Sequence, residues 1–203
     1  MKKLLVEFIG TFFLVLVVSL SGNPVAIGFM LMAMVYMGGY ISGAHYNPAV
    51  TLGLWVSKKI NSNDALKYMA AQLLGGFAGA AVYTFIKKDF FLPAPGVGVN
   101  WMTAFVVEVL FTFALVSVVH HVAATEKTKG NDYYGLAIGM TVLAAATAGG
   151  PISGGAFNPA VGVSPLLFDL SGISTHVGNI LLYALGPMTG GALAGWVYTR
   201  MKR

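Results

Sequence analysis

The sequence predicts an all-α membrane protein with six transmembrane helices and two half-helices, arranged as an inverted internal repeat. Three observations carry this prediction. Of 203 residues, 57% are hydrophobic and only 9% charged, against roughly a quarter charged in soluble domains. The apolar stretches are continuous, on the scale of the ~20 residues that a bilayer-crossing helix needs. A ten-residue block in the first half of the chain also returns in the second. With 26 glycines added to the apolar set, too little polar surface remains for a soluble globular fold, a disordered tail or a large extramembrane catalytic domain. The pattern disfavours a β-barrel, because barrel strands alternate apolar and polar residues.

The continuous stretches fall at about 4–20, 24–41, 65–86, 101–123, 133–148 and 177–199. Two further apolar pieces, 48–56 and 159–168, are too short to cross, and each begins with a proline behind an asparagine. The first stretch, behind Met1, Lys2 and Lys3, has the outline of a secretory signal peptide. Glu7 inside its apolar run, and a counterpart in the second half, mark it instead as a true span. Residues 21–24 (SGNP) leave only a tight hairpin before the second.

Six spans bring both termini to one face. That face collects Lys2, Lys3, Lys58, Lys59, Lys67, Lys127, Lys129, Arg200, Lys202 and Arg203, whereas the other carries only Lys87 and Lys88, beside Asp89. By the positive-inside rule both termini are expected in the cytoplasm, with the plasma (inner) membrane as the expected location. The net charge of +5 does not point to nucleic acid, since cations scattered in ones and twos make no basic stripe. Cysteine is absent, which removes disulfides, thiolate nucleophiles and cysteine metal sites.

The repeat sets the architecture. Residues 41–50 (ISGAHYNPAV) match residues 152–161 (ISGGAFNPAV) at seven of ten positions, an offset of 111. Val6, Glu7, Thr11 and Phe12 recur as Val107, Glu108, Thr112 and Phe113, an offset of 101. Gly75, Gly76 and Tyr83 recur as Gly190, Gly191 and Tyr198, an offset of 115. The expected organisation is one domain over 1–203, with repeats at about 1–90 and 100–203. Three spans per half turn the second copy upside down, so the two short helices approach the membrane centre from opposite faces.

The paired Asn47, Pro48, Ala49 and Asn158, Pro159, Ala160, together with Glu7 and Glu108 in the first and fourth spans, resemble the aquaporin and aquaglyceroporin (major intrinsic protein) family in a prokaryote-like form. The resemblance covers essentially the whole chain. It implies a passive channel for water and small uncharged solutes, one per chain, in a homotetramer embedded in a lipid bilayer. No cofactor, metal, nucleic-acid partner or enzymatic activity is expected; a nucleophile–base set is not visible.

The motif has a physical logic of its own. Proline suits the first helical position, and asparagine suits the N-cap, where its oxygen accepts a backbone N–H. The amide NH2 is then expected to point outward. Two such caps meeting mid-membrane offer donors to a passing water and interrupt a proton-conducting chain. The converging helix dipoles add a barrier to cations.

Glu7 and Glu108 lie inside spans, where a carboxylate is costly. They read either as a proton relay or ion site, or as acceptors for the non-helical backbone ahead of each half-helix; the resemblance implies the second. His45 either lines the cytoplasmic mouth or bonds the loop backbone. His120 and His121 are expected at the interface.

At the outer constriction the family usually places an arginine after the second motif. Here that place holds Val161, and counting from the motifs assigns Ile27, Ala146 and Gly155 as its companions in the filter. A wider, apolar constriction is expected, with weaker selection by size, unless Tyr46 or Phe157 swings in to narrow it. Glycerol-selective members tend to carry aspartate at the next position, which here is Gly162. The rival readings are an ion-coupled secondary transporter and a non-conducting membrane-packing protein on the same fold.

Overall fold

The computed structural model describes residues 1–201; Lys202 and Arg203, two of the cations counted toward the terminus face, lie outside the described residues. The helices are α1 (Lys2–Ser21), α2 (Pro24–Ser42), α3 (Pro48–Val56), α4 (Ser62–Lys87), α5 (Trp101–Ala123), α6 (Tyr134–Ser153), α7 (Pro159–Gly162), α8 (Ser164–Phe168) and α9 (Ile173–Met201), with a 3-10 turn at Glu126–Thr128. No strand occurs among the described residues. Six helices, α1, α2, α4, α5, α6 and α9, are long and apolar enough to cross a membrane.

Local chemistry sets most of the boundaries. Asn23 caps α2 by accepting the Val25 and Ala26 N–H groups, with Pro24 as the first helical residue. Asn61 and Asn100 cap α4 and α5 in the same way. Helices α1, α2 and α6 stop at Gly22, Gly43 and Gly154, each left-handed, with its N–H returned to the last turn.

Packing exchanges parts between the halves. Helix α1 packs on α4, α5 packs on α9, and α2 meets α6. The short α3 lies along α9 of the other half, while α7 and α8 lie along α4 and α9. Close approach needs glycine at these crossings. A Cβ at Gly75 or Gly190 would collide with the carbonyls of Phe8 or Val109, and one at Gly191 with the Ala49 carbonyl. The interior holds Glu7, Gln72 and Glu108, all fully buried, whereas Leu5, Phe85, Leu110 and Leu181 are exposed. Buried carboxylates and amides set within an aliphatic core, with an apolar exterior, fit a lipid solvent.

The largest differences from the sequence reading are three. Helix α6 runs on through Gly149, Gly150 and Pro151 to Ser153, because glycine and proline are tolerated when neighbouring helices supply the packing. Helix α9 starts at Ile173 rather than 177 and contains Pro187. The second short helix is two pieces, parted at Val163. Pro165 has no N–H for the Val161 carbonyl one turn back, and its ring crowds that carbonyl.

Candidate functional site

Each half builds a descending non-helical loop on one buried carboxylate. Glu7 Oε1 accepts the Ser42 hydroxyl at 2.6 Å and the His45 N–H at 3.0 Å. Its Oε2 accepts the Tyr46 N–H and the Gln72 side-chain amide, both at 2.8 Å. All the acceptor sites of the carboxylate are thereby used. Glu108 repeats the pattern with Ser153 at 2.7 Å, Ala156 N–H at 3.0 Å and Phe157 N–H at 2.7 Å. Among the described residues no fourth donor is seen there; the counterpart of Gln72 at the offset of 115 is Pro187.

These bonds hold backbone that is otherwise unfavourable. Tyr46 and Phe157 both sit at positive φ, +50° and +47°, a strained region for a bulky residue. Their rings leave the axis and lock into helix packing. Tyr46 lies over Gly10 and Gly38 and donates its hydroxyl to the Met34 carbonyl at 2.9 Å. Phe157 packs on Phe111 and Gly149.

Turning the rings outward turns the Tyr46 and Phe157 carbonyls toward the centre, where each meets the asparagine of the opposite half. Asn47 donates from Nδ2 to the Phe157 carbonyl, and Asn158 donates from Nδ2 to the Tyr46 carbonyl, both at 2.9 Å. The amide oxygens accept the Ala49 and Ala160 N–H groups at 2.8 and 2.9 Å, with Pro48 and Pro159 as the first residues of α3 and α7. So one amide hydrogen per asparagine is spent across the repeat and the other is left for the cavity between them, where the sequence suggested that both were free.

That cavity measures about 30 Å³, room for about two waters. Its walls are aliphatic and come in repeat-related pairs: Leu14 with Leu115, Val18 with Val119, Ile27 with Ile138, Leu31 with Val142, and Val50 with Val161. Of the four residues counted for the filter, Ile27, Gly155 and Val161 line the cavity. Ala146 is half-buried and is not among the lining residues; Val142, one turn earlier on the same helix face, occupies that wall.

His45 lines the cavity and a neighbouring vestibule of about 410 Å³. Its Nδ1 lies 3.0 Å from the Thr51 hydroxyl in the half-helix, and its own N–H meets Glu7. In the last turn of α5 His120 is fully buried, bridging Ser57 and the Val116 carbonyl at 2.8 Å each, whereas His121 is exposed.

Several residues of this framework escaped the sequence reading. Ser42 and Ser153 are matched positions inside the repeated block. Tyr68 and Tyr183 donate their hydroxyls to the Ser42 and Ser153 carbonyls at 2.8 and 2.7 Å; they are separated by the same 115 residues as the glycine pairs, a signal that was present. Gln72 has no counterpart, so no repeat points to it.

Six bilayer-length helices and two half-helices that exchange asparagine bonds around a central cavity define an integral, multi-pass membrane protein of the channel-forming class. A family model described as major intrinsic protein matches residues 1–198. The chain is 34% identical over 238 aligned positions to aquaporin AqpM of Methanothermobacter thermautotrophicus, covering 97% of this chain and 96% of that protein. It is 35% identical over 218 positions to glycerol uptake facilitator protein-like 6 of Lactiplantibacillus plantarum, again covering 97% and 96%. The fold is similar to that of the aquaglyceroporin from Plasmodium falciparum, with a TM-score of 0.82 at 21% identity over 99% of this chain and 96% of that one. The chain belongs to the major intrinsic protein family.

Proposed function

We propose that the chain is a passive channel for water and small uncharged solutes, with its waist at Asn47 and Asn158. The exchanged amide–carbonyl pairs carry this reading: they leave two N–H groups facing a cavity with aliphatic walls. A water at the waist turns its oxygen to those donors, and a hydrated cation meets amide donors and hydrocarbon at that level. Relatives that include an aquaporin and a glycerol uptake facilitator support the same class of solute.

Within this reading residues 1–203 act as one channel domain built of repeats at about 1–90 and 100–203. Glu7 and Glu108 support the loops; Pro48, Ala49, Pro159 and Ala160 form the first turns at the waist. Ile27, Gly155 and Val161, with Val142 or Ala146 behind them, set the outer constriction, and His45 sets the inner mouth. Both termini face the cytoplasm from the plasma (inner) membrane. Chains assemble as homotetramers with one channel each, and no catalysis is involved. The small cavity ranks water first, with larger neutral solutes needing aliphatic side chains to move aside.

Stopped-flow light scattering on proteoliposomes tests the proposal, with water, urea and glycerol gradients and an internal pH dye. Water flux above that of protein-free vesicles, independent of any ion gradient, is expected. Solute movement that requires a proton or sodium gradient, or no flux at all, overturns it.

A further inference from the structure

The cavity walls pair in chemical type across the repeat almost throughout; the exception is His45, which Thr51 and Gln72 back from behind the wall. His45, Thr51 and Gln72 have Ala156, Gly162 and Pro187 as their counterparts, so all three side chains are absent together from the second half. In the first half they form one chain of contacts leading from Glu7 to the cavity.

The direction of that chain follows from its carboxylate end. Glu7 is surrounded by donors, so the group of Gln72 that faces it at 2.8 Å is the amide nitrogen. The other hydrogen of that nitrogen points to the Thr51 hydroxyl at 2.9 Å. Thr51 in turn has a ready acceptor for its single hydrogen in the Asn47 carbonyl, one helical turn back at 3.1 Å; the Gln72 Oε1, at 3.3 Å, is the longer choice. With one lone pair filled by Gln72 and its hydrogen given to backbone, the hydroxyl is left to accept from the remaining neighbour. That neighbour is His45 Nδ1 at 3.0 Å. The ring is further held edge-on to Tyr68, 5.0 Å between centroids. Among the described residues Nε2 has no protein partner, and His45 lines the cavity.

We propose that Gln72 and Thr51 are positioning residues that hold His45 as its Nδ1–H tautomer, so that Nε2 faces the permeation path as a hydrogen-bond acceptor. This rests on the channel reading above and sharpens it. The inner half of the path then offers a side-chain acceptor that the outer half lacks. Beyond the loop carbonyls, it is the station at which a solute must present an O–H or N–H. Water and small neutral amides or alcohols meet that requirement; a neutral solute of the same size with no donor does not.

The test reads the tautomer directly in the full-length protein in lipid nanodiscs at pH 8, with 15N-labelled histidine and two-bond 15N–1H correlation. His45→Gln identifies the His45 signals among the four histidines. The parent and Thr51→Ser are expected to show Nδ1 protonated and Nε2 bare, while Thr51→Val and Gln72→Met shift the population toward Nε2–H. In vesicles His45→Leu is expected to slow water by roughly two- to tenfold, the worth of one hydrogen bond, and to narrow the preference for urea over a donor-free solute of similar size. An Nε2–H tautomer in the parent, or an unchanged tautomer in both Thr51→Val and Gln72→Met, overturns the proposal. The parent spectrum alone is decisive if a variant fails to fold. A protein with the expected tautomer but no flux would refute the channel reading and leave this positioning intact.

Discussion

Replacing Asn47 by aspartate separates the two tasks of the waist. The cap survives, because a carboxylate oxygen accepts the Ala49 N–H as the amide oxygen does at 2.8 Å. The bond to the Phe157 carbonyl at 2.9 Å is lost. A buried carbonyl left without a donor costs about 1–3 kcal/mol, which lowers the unfolding temperature by about 2–10 °C. The electrostatic change is larger and opposite in kind. A cation about 4 Å from a carboxylate gains about 4 kcal/mol at an effective dielectric near 20, an upper limit of about a thousandfold in the rate of entry. Asn47→Asp vesicles loaded with sodium- and proton-sensitive dyes are therefore expected to admit cations about 100- to 1000-fold faster than the parent. An Asn47→Asp protein that still conducts water but admits cations at the parent rate would refute the waist as the site of cation exclusion.

Val161→Arg places a long cationic side chain at a cavity wall where Val161 is only 3% exposed; urea and glycerol passage should fall, and unchanged passage would put the constriction elsewhere. Glu108→Leu strands the Ala156 and Phe157 N–H groups, at about 1–3 kcal/mol each. Glu7→Leu strands the Gln72 amide as well, so denaturant titration should find it the more damaging of the two. Gly191→Ala drives a Cβ into the Ala49 carbonyl, whereas Gly150 has open space around it; the first should lose about 1–3 kcal/mol, while Gly150→Ala should not lose stability. At the loop before α9, the Ser171 hydroxyl and then His176 hold the Asp169 carboxyl below its ordinary value. A depressed carboxyl stabilises above the ordinary value and loses that contribution as pH falls through the folded one. Exchange protection of the Gly172 amide, which bonds Asp169 at 3.2 Å, should hold from about pH 7 to 5 and fall only below about pH 4; loss already between 7 and 5 would contradict this.

The features legible in the sequence were those carried by periodicity or by a doubled motif. Continuous apolar runs located all six spans, because a bilayer demands length and little else. Boundaries set by tertiary packing were less legible. Gly149, Gly150 and Pro151 look like an ending, yet α6 continues because its neighbours, not its own propensity, hold the last turn. The apolar run 159–168 reads as one short helix, yet Pro165, with no N–H to give, splits it. At the waist, Asn47 and Asn158 announced themselves by repetition. The acceptors they reach, the Tyr46 and Phe157 carbonyls, belong to backbone, which leaves no mark in residue type. Gln72 was invisible for the opposite reason: its work is done in one half only.

The exchange of bonds at the waist also has a consequence for biogenesis. Asn47 and the Phe157 carbonyl are 110 residues apart in the chain, and Tyr46 and Asn158 are separated by 112. At a synthesis rate of about 5–20 residues per second, the first loop waits roughly 5–20 s before the segment that completes it has been made. During that interval Glu7, Ser42 and Gln72 come from residues already synthesised and can hold the loop in shape, with Tyr46 seated against Gly10 and Gly38. The additional donor on the first carboxylate falls in the half that must endure this wait, and the half that is finished last does without it.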